Sequence, residues 1–256
     1  MHLSTILKKI VPWIIPLFLI LIWQLFSSLQ WISSRVLPAP TEIIMASWEL
    51  FSSGEIFTHI WSSSQRALIG LLIGGVIGFI FGVLNGVSKI SETLFDSSIQ
   101  MVRNIPHLAL IPLVIMWFGI GEEGKIFLIA LGVLFPIYLN TFHGIRSVDH
   151  ELIEMGKSYG LSKWELFTQI ILPGALPSIL VGIRYGLGIM WVTLIVAETI
   201  SANSGIGYLA MDAREFMQLD VVVLSILLYA LLGKFSDWLA KILEYRFLKW
   251  NPHYQK

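Results

Sequence analysis

The sequence predicts an all-α polytopic membrane protein with six spans, on three observations. Of its 256 residues 55% are hydrophobic and only 13% charged, about half the charged share of a soluble domain. Apolar runs of the ~20 residues needed to cross a ~30 Å hydrocarbon core recur along the chain. Polar, helix-punctuated segments are confined to the joints between these runs, above all residues 154–173, EMGKSYGLSKWELFTQIILP.

The first span covers about residues 10–30. Lys8 and Lys9 precede it, but the uncharged stretch continues to Ser34 with no small-x-small cleavage site after the apolar core. A retained anchor is therefore expected rather than a cleaved signal. One or two short amphipathic helices outside the membrane should come next, started by Pro38 and Pro40 and broken at Ser53-Gly54. The second span, 67–88, carries Gly70, Gly74, Gly78, Gly82 and Gly86 at every fourth position. Such a stripe lets another helix approach closely, either in the same chain or in a second subunit.

The third and fourth spans, 103–121 and 126–145, contain Pro106, Pro112 and Pro136. Each removes a backbone donor and bends its helix, as expected of a transport pathway or of plain packing kinks. Arg184 interrupts the fifth span, 177–200, and Lys234 and Asp237 sit in the sixth, 219–240. No linker or solenoid repeat divides the chain, so one membrane domain covers 1–256.

Basic residues orient the spans. With the N-terminus inside, twelve Lys and Arg residues lie on the cytoplasmic side, while only Arg35, Arg66, Lys125 and Arg214 lie outside and Arg184 lies within a span. Both termini and the joint at 146–173 are then cytoplasmic. In that joint Leu152, Met155 and Tyr159 share one helix side, and Gly160 should end the helix. Ser162 and Glu165 fit a capping box opening a second helix, which Leu172-Pro173 should stop. The loop mixes Glu with Lys and lacks the basic face that anionic lipid favours, so it reads as a docking element for another protein.

Several chemistries are excluded. With no cysteine there is no disulfide or thiolate metal site. Gly156-Lys157-Ser158 imitates the end of a P-loop, but position 151 is Glu rather than Gly. His150 has acidic neighbours only in sequence, and neither a zincin pair nor a G-x-S-x-G elbow exists. A net charge of zero gives no sign of nucleic-acid binding. An ion-driven secondary transporter would need midplane carboxylates; the nearest is Glu198, expected either to pair with Arg214 or to line an outer gate.

Polar residues inside spans are costly in lipid and mark interiors or cavities. Arg103, Asn104, His107, Asn140 and Arg184 are the candidates for a substrate path. Arg184 has two readings: a cation whose fork of donors matches an oxyanion, or a structural residue that snorkels or pairs with Glu154 or Glu165.

The spacing Glu154, Gly160, Ile170, Leu172, Pro173 resembles the E-A-A-x3-G-x9-I-x-L-P motif of bacterial ABC importer permeases, with Met155 and Gly156 replacing the two alanines. Arg103-Asn104-Ile105-Pro106, Trp117-Phe118-Gly119-Ile120-Gly121-Glu122, Arg146-Ser147-Val148-Asp149 and Gly205-Ile206-Gly207-Tyr208-Leu209 look like the nitrate, sulfonate and taurine group. Asn140-Thr141 and Asp212-Ala213-Arg214-Glu215-Phe216 look most like aliphatic sulfonate permeases.

This resemblance, over about residues 35–250, implies a type I importer permease in the bacterial inner membrane. It implies a coupling helix whose residues Glu151, Glu154, Tyr159, Gly160, Leu161, Trp164 and Pro173 meet an ATPase. The implied partners are two cytoplasmic ATPase subunits, an extracytoplasmic binding protein and a second copy of the chain. ATP and Mg would sit on the ATPase, with no cofactor on this chain. Aliphatic sulfonates are the expected cargo; taurine, nitrate or a thiamine-precursor heterocycle are the alternatives.

Overall fold

The computed structural model describes residues 2–250, with side chains described from Val11 onward except at 12, 13 and 201. The described chain is helical throughout. Helix α1 (His2–Ser28) presents Ile15, Phe18 and Leu21 outward, as a lipid-facing helix should. The Gln24 side chain then reaches the next helix, its Oε1 accepting from the Thr41 amide at 3.2 Å. That helix, α2 (Pro40–Ser52), starts at Pro40 and ends at Gly54, whose φ of +81° suits glycine. The expected break at Ser53-Gly54 is present. Beyond it the chain forms one helix, α3 (Glu55–Val87), so the second short helix is simply the first turns of the span-forming helix.

The glycine stripe of α3 lies against α6 (Glu122–Arg146). A Cβ at Gly74 would land on the Ala130 carbonyl, one at Gly78 on that of Leu134, and one at Gly82 on the Thr141 side chain. Backbone therefore touches backbone along the seam, which is the intrachain reading of the stripe. Around it Ile129, Val133, Ile137, Met190 and Leu194 form a core with residues of α9 (Leu172–Ser201) and α11 (Leu219–Phe247).

The predicted third span is not one helix. Residues 103–121 take in only the last residue of α4 (Lys89–Arg103) and then, after Pro106, a 3-10 turn (His107–Leu110) running into α5 (Ile111–Phe118); α4 and this second limb are bent by 79°. Pro106 lacks the amide that would continue α4, and proline also disfavours the helical conformation of the residue before it. A buried polar chain fixes α4: the Asn85 amide donates to Tyr138 Oη (2.8 Å), and that hydroxyl donates to Asp96 (2.6 Å).

Among the described residues four helices, Glu55–Val87, Glu122–Arg146, Lys163–Ile200 and Leu219–Phe247, are long and apolar enough to cross a membrane, and the bent pair makes up to five. The apolar stretch described in α1, Ile14–Ser28, is shorter, and part of the predicted first span lies outside the described side chains.

Candidate functional site

The loop between α6 and α9 closes on itself. Asp149 caps α7 (His150–Ser158), its carboxylate accepting from the Glu151 amide at 2.9 Å. At the other end the Leu161 amide donates to Gly156 O (3.1 Å) and the Gly160 amide to Lys157 O (2.9 Å), with Gly160 at φ +80°. This is a Schellman close, which needs a left-handed residue at that point. Ser162 and Glu165 then form the expected capping box: the Glu165 amide donates to Ser162 Oγ (3.3 Å) and the Ser162 amide to Glu165 Oε2 (2.8 Å). Hydrogen bonding to the carboxylate from Ser162, its side chain first and its backbone amide second, holds the Glu165 carboxyl below its usual range.

The loop is saturated in its own hydrogen bonds yet leaves apolar side chains in the open. Tyr159 is 81% and Trp164 72% exposed, with Leu152 and Met155 about half exposed beside them. Glu151 and Glu154 are exposed, Glu154 pairing only with His150 at 3.3 Å. Leu161 is half-buried. Gly156 is buried, and a Cβ there would crowd Leu161, Leu166 and Ile170.

Pro173 does not stop the second helix. From α8 (Lys163–Leu166) the chain widens into a π turn, Phe167–Ile171, and continues as α9, with Pro173 in its first turn. The wider turn accommodates the missing proline amide and lets the helix pass.

A cavity of about 690 Å³ opens between α9, α11 and the break before α5. Of the five path candidates it brings together His107 and Arg184, beside Thr193, Tyr185 and Asp237. His107 Nε2 lies 3.0 Å from Thr193 Oγ1. Arg103 and Asn104 are exposed at the end of α4, and Asn140 is bound within α6, its amide donating to Pro136 O at 2.8 Å; these three are not among the cavity's lining residues. The partners expected for Arg184 were also wrong. Its Nε donates to Asp237 Oδ1 at 2.7 Å, Nη2 lies 2.7 Å from the same oxygen as an ion pair, and Glu244 lies 3.7 Å from Nη1.

Sequence reasoning missed a third cluster, at the C-terminal end of α9. Glu198 is 1% exposed and pairs with Arg66, not Arg214. Its carboxylate accepts from Ser63 Oγ (2.8 Å), Arg66 Nη1 (2.7 Å), the Gly207 amide (2.9 Å) and Tyr229 Oη (2.9 Å). All five Arg66 donors are used, on Glu198, Glu122 and Ser204. The cluster also explains the Gly205-Ile206-Gly207 sequence. Gly205 sits at φ +113° where a side chain would strike Glu198, and consecutive amides of this turn meet His59, Ser63 and Glu198. So saturated a carboxylate has no capacity left for a coupling ion.

Comparison with known proteins agrees with this architecture. Residues 74–249 match the family model described as binding-protein-dependent transport system inner membrane component. The chain is 61% identical to the putative aliphatic sulfonates transport permease protein SsuC of Escherichia coli, over 97% of this chain and 94% of that one. It is 45% identical to the protein of the same description from Bacillus subtilis (94% and 88%) and 34% identical to the E. coli taurine transport system permease protein TauC (93% and 88%). Among solved structures, an amino acid ABC transporter described as "with histidines" superposes with a TM-score of 0.63 at 16% identity, covering 77% of this chain and 96% of that one. The MetNI methionine ABC transporter, in an inward-facing conformation, gives 0.59 at 20% identity, covering 73% and 95%. The fold and the matched sequence together make this chain a member of the binding-protein-dependent transport system inner membrane component family, an ABC importer permease.

Proposed function

We propose that the chain is the translocating subunit of an ATP-driven importer of aliphatic sulfonates. In this reading it works as a pair of copies with two cytoplasmic ATPase subunits and an extracytoplasmic binding protein. ATP and Mg belong to the ATPase. Six crossings, counting α1 and the bent pair α4–α5 as one each, leave both termini and the 146–173 loop in the cytoplasm. The loop's Glu151, Glu154, Tyr159, Gly160, Leu161, Trp164 and Pro173 form or support the surface that meets the ATPase.

The observation carrying this reading is a loop whose backbone is internally capped while Tyr159 and Trp164 stand in the open. Exposed aromatics on a preorganised frame are what a protein partner's cleft fills around. Nucleotide binding would supply the free-energy difference between inward- and outward-open states, and the loop would carry it into the membrane.

The test is to purify the chain with its ATPase and binding protein and to read ATPase activity against alkanesulfonates, taurine and nitrate. Stimulation by alkanesulfonates is expected. Stimulation by nitrate alone would overturn the cargo, and failure of any ATPase to co-purify would overturn the assembly. Gly160→Val should abolish stimulation, at least tenfold, while the protein still inserts, because valine opposes the left-handed backbone there. Normal stimulation by that variant would remove the loop from the coupling path.

A further inference from the structure

The cavity at Arg184 has features that the transport assignment alone does not explain. Arg184 lies 11 residues beyond Pro173, about 16 Å along α9 from the end of the 146–173 loop. Its two contacts with Asp237 fall on a single oxygen. Nη1 is 3.7 Å from Glu244, beyond hydrogen-bonding range. Arg184 thus keeps unused donors facing open volume, and its side chain is 40% exposed.

Asp237, for its part, has another cation at hand. Lys241 lies 3.0 Å and Lys234 4.0 Å from its second oxygen. The group holds three cations (Arg184, Lys234, Lys241) against two carboxylates (Asp237, Glu244), one positive charge in excess. One monoanion would balance it.

Apart from Tyr185 and the His107–Thr193 pair, the rest of the lining is apolar or glycine. From Arg184 the lining continues along α9 through Gly188 and Val192 to Thr193, about 13 Å away at 1.5 Å per residue. Two of the lining residues, Gly188 and Gly233, have nothing within 4 Å of where a Cβ would stand. They are not glycines because of packing; they leave room.

We propose that this cavity is an internal binding site for an alkanesulfonate, with Arg184 gripping the sulfonate, Asp237 its resident counter-ion, and Gly188 and Gly233 making space for the alkyl chain. The proposal rests on the importer reading above. The head group displaces the Asp237 carboxylate from Arg184, and Lys241 retains it. A guanidinium fork fits a tetrahedral oxyanion in the same way that it fits a carboxylate. No covalent step is involved, and release occurs when Asp237 returns to Arg184.

The experiment measures equilibrium binding of labelled butanesulfonate to the intact chain co-purified with its ATPase, in lipid nanodiscs, with no binding protein and no nucleotide. Saturable binding is expected. Arg184→Gln should weaken it at least tenfold, Arg184→Lys should fall between, and Asp237→Asn should tighten it about threefold or more because the internal competitor is gone. Gly188→Leu should lower the ratio of hexanesulfonate to methanesulfonate affinity at least tenfold. Butanesulfonate-stimulated ATPase with no saturable binding, or with the same affinity in wild type, Arg184→Gln and Asp237→Asn, overturns the internal site and leaves the importer standing. Absence of both binding and stimulation overturns the site together with its cargo. An Arg184→Gln protein that fails to assemble still leaves Asp237→Asn and Gly188→Leu to decide the matter.

Discussion

The helix α9 carries two arginine–carboxylate contacts with the rest of the bundle, and they are built differently. At its C-terminal end Arg66 and Glu198 are buried, every guanidinium donor is engaged, and the carboxylate is met by hydroxyls and an amide as well as by the arginine. Toward the middle of the same helix Arg184 and Asp237 are partly exposed, with donors unused and lysines waiting beside the carboxylate. The same chemistry serves two ends. A saturated pair fixes geometry, whereas an unsaturated pair beside a cavity is open to exchange.

This contrast can be broken. Glu198→Ala removes the acceptor shared by Ser63, Arg66, the Gly207 amide and Tyr229, leaving buried donors unpaired, and should destabilise the protein by about 3–5 kcal/mol, seen as a lowered unfolding midpoint in detergent. A loss below about 1 kcal/mol would show that the Glu198 cluster is no lock. Tyr229→Phe deletes one donor to the same carboxylate and should lose about 1.5–3 kcal/mol by the same assay. Asp237→Asn, at a solvated pair, should stay within about 1 kcal/mol of wild type; a larger loss would put both pairs in the same structural class.

The smallest effect belongs to Glu165, fully exposed and bonded only within its turn. Its folded pKa lies below the ordinary 4.5, so its contribution is present above that value and is lost as pH falls through the lower, folded one. Amide exchange at Ser162 and Glu165 should therefore accelerate as pH drops below about 4.5, relative to other amides of the loop, and Glu165→Ala should remove that step.

How much the sequence disclosed depends on the range of the interactions involved. The glycine stripe of α3, the Gly160 stop and the Ser162–Glu165 box were all legible because each is written within a few helical turns. Pro106 announced a bend but not its 79°, which depends on how α4 is tied to Tyr138 and Asn85. Pro173 misled, because the π turn before it is a backbone adjustment without a residue signature. The partners of Arg184 and Glu198 were invisible for another reason. Asp237 is 53 positions from Arg184 and Arg66 is 132 from Glu198, and only packing of the bundle brings them together.

The passage of α9 through Pro173 without a stop gives the molecule a lever. Trp164, Arg184 and Glu198 ride on one continuous 38-residue shaft. With Glu198 clamped as the fulcrum, Arg184 stands about 21 Å and Trp164 about 51 Å from it along the axis. A swing of about 5 Å at the Trp164 handle arrives at Arg184 as about 2 Å, enough to carry a 2.7 Å contact with Asp237 past the ~3.5 Å limit of a hydrogen bond. The arm ratio would turn a push at the Trp164 end into the loosening of one ion pair near the middle of α9, while the clamped end stays still.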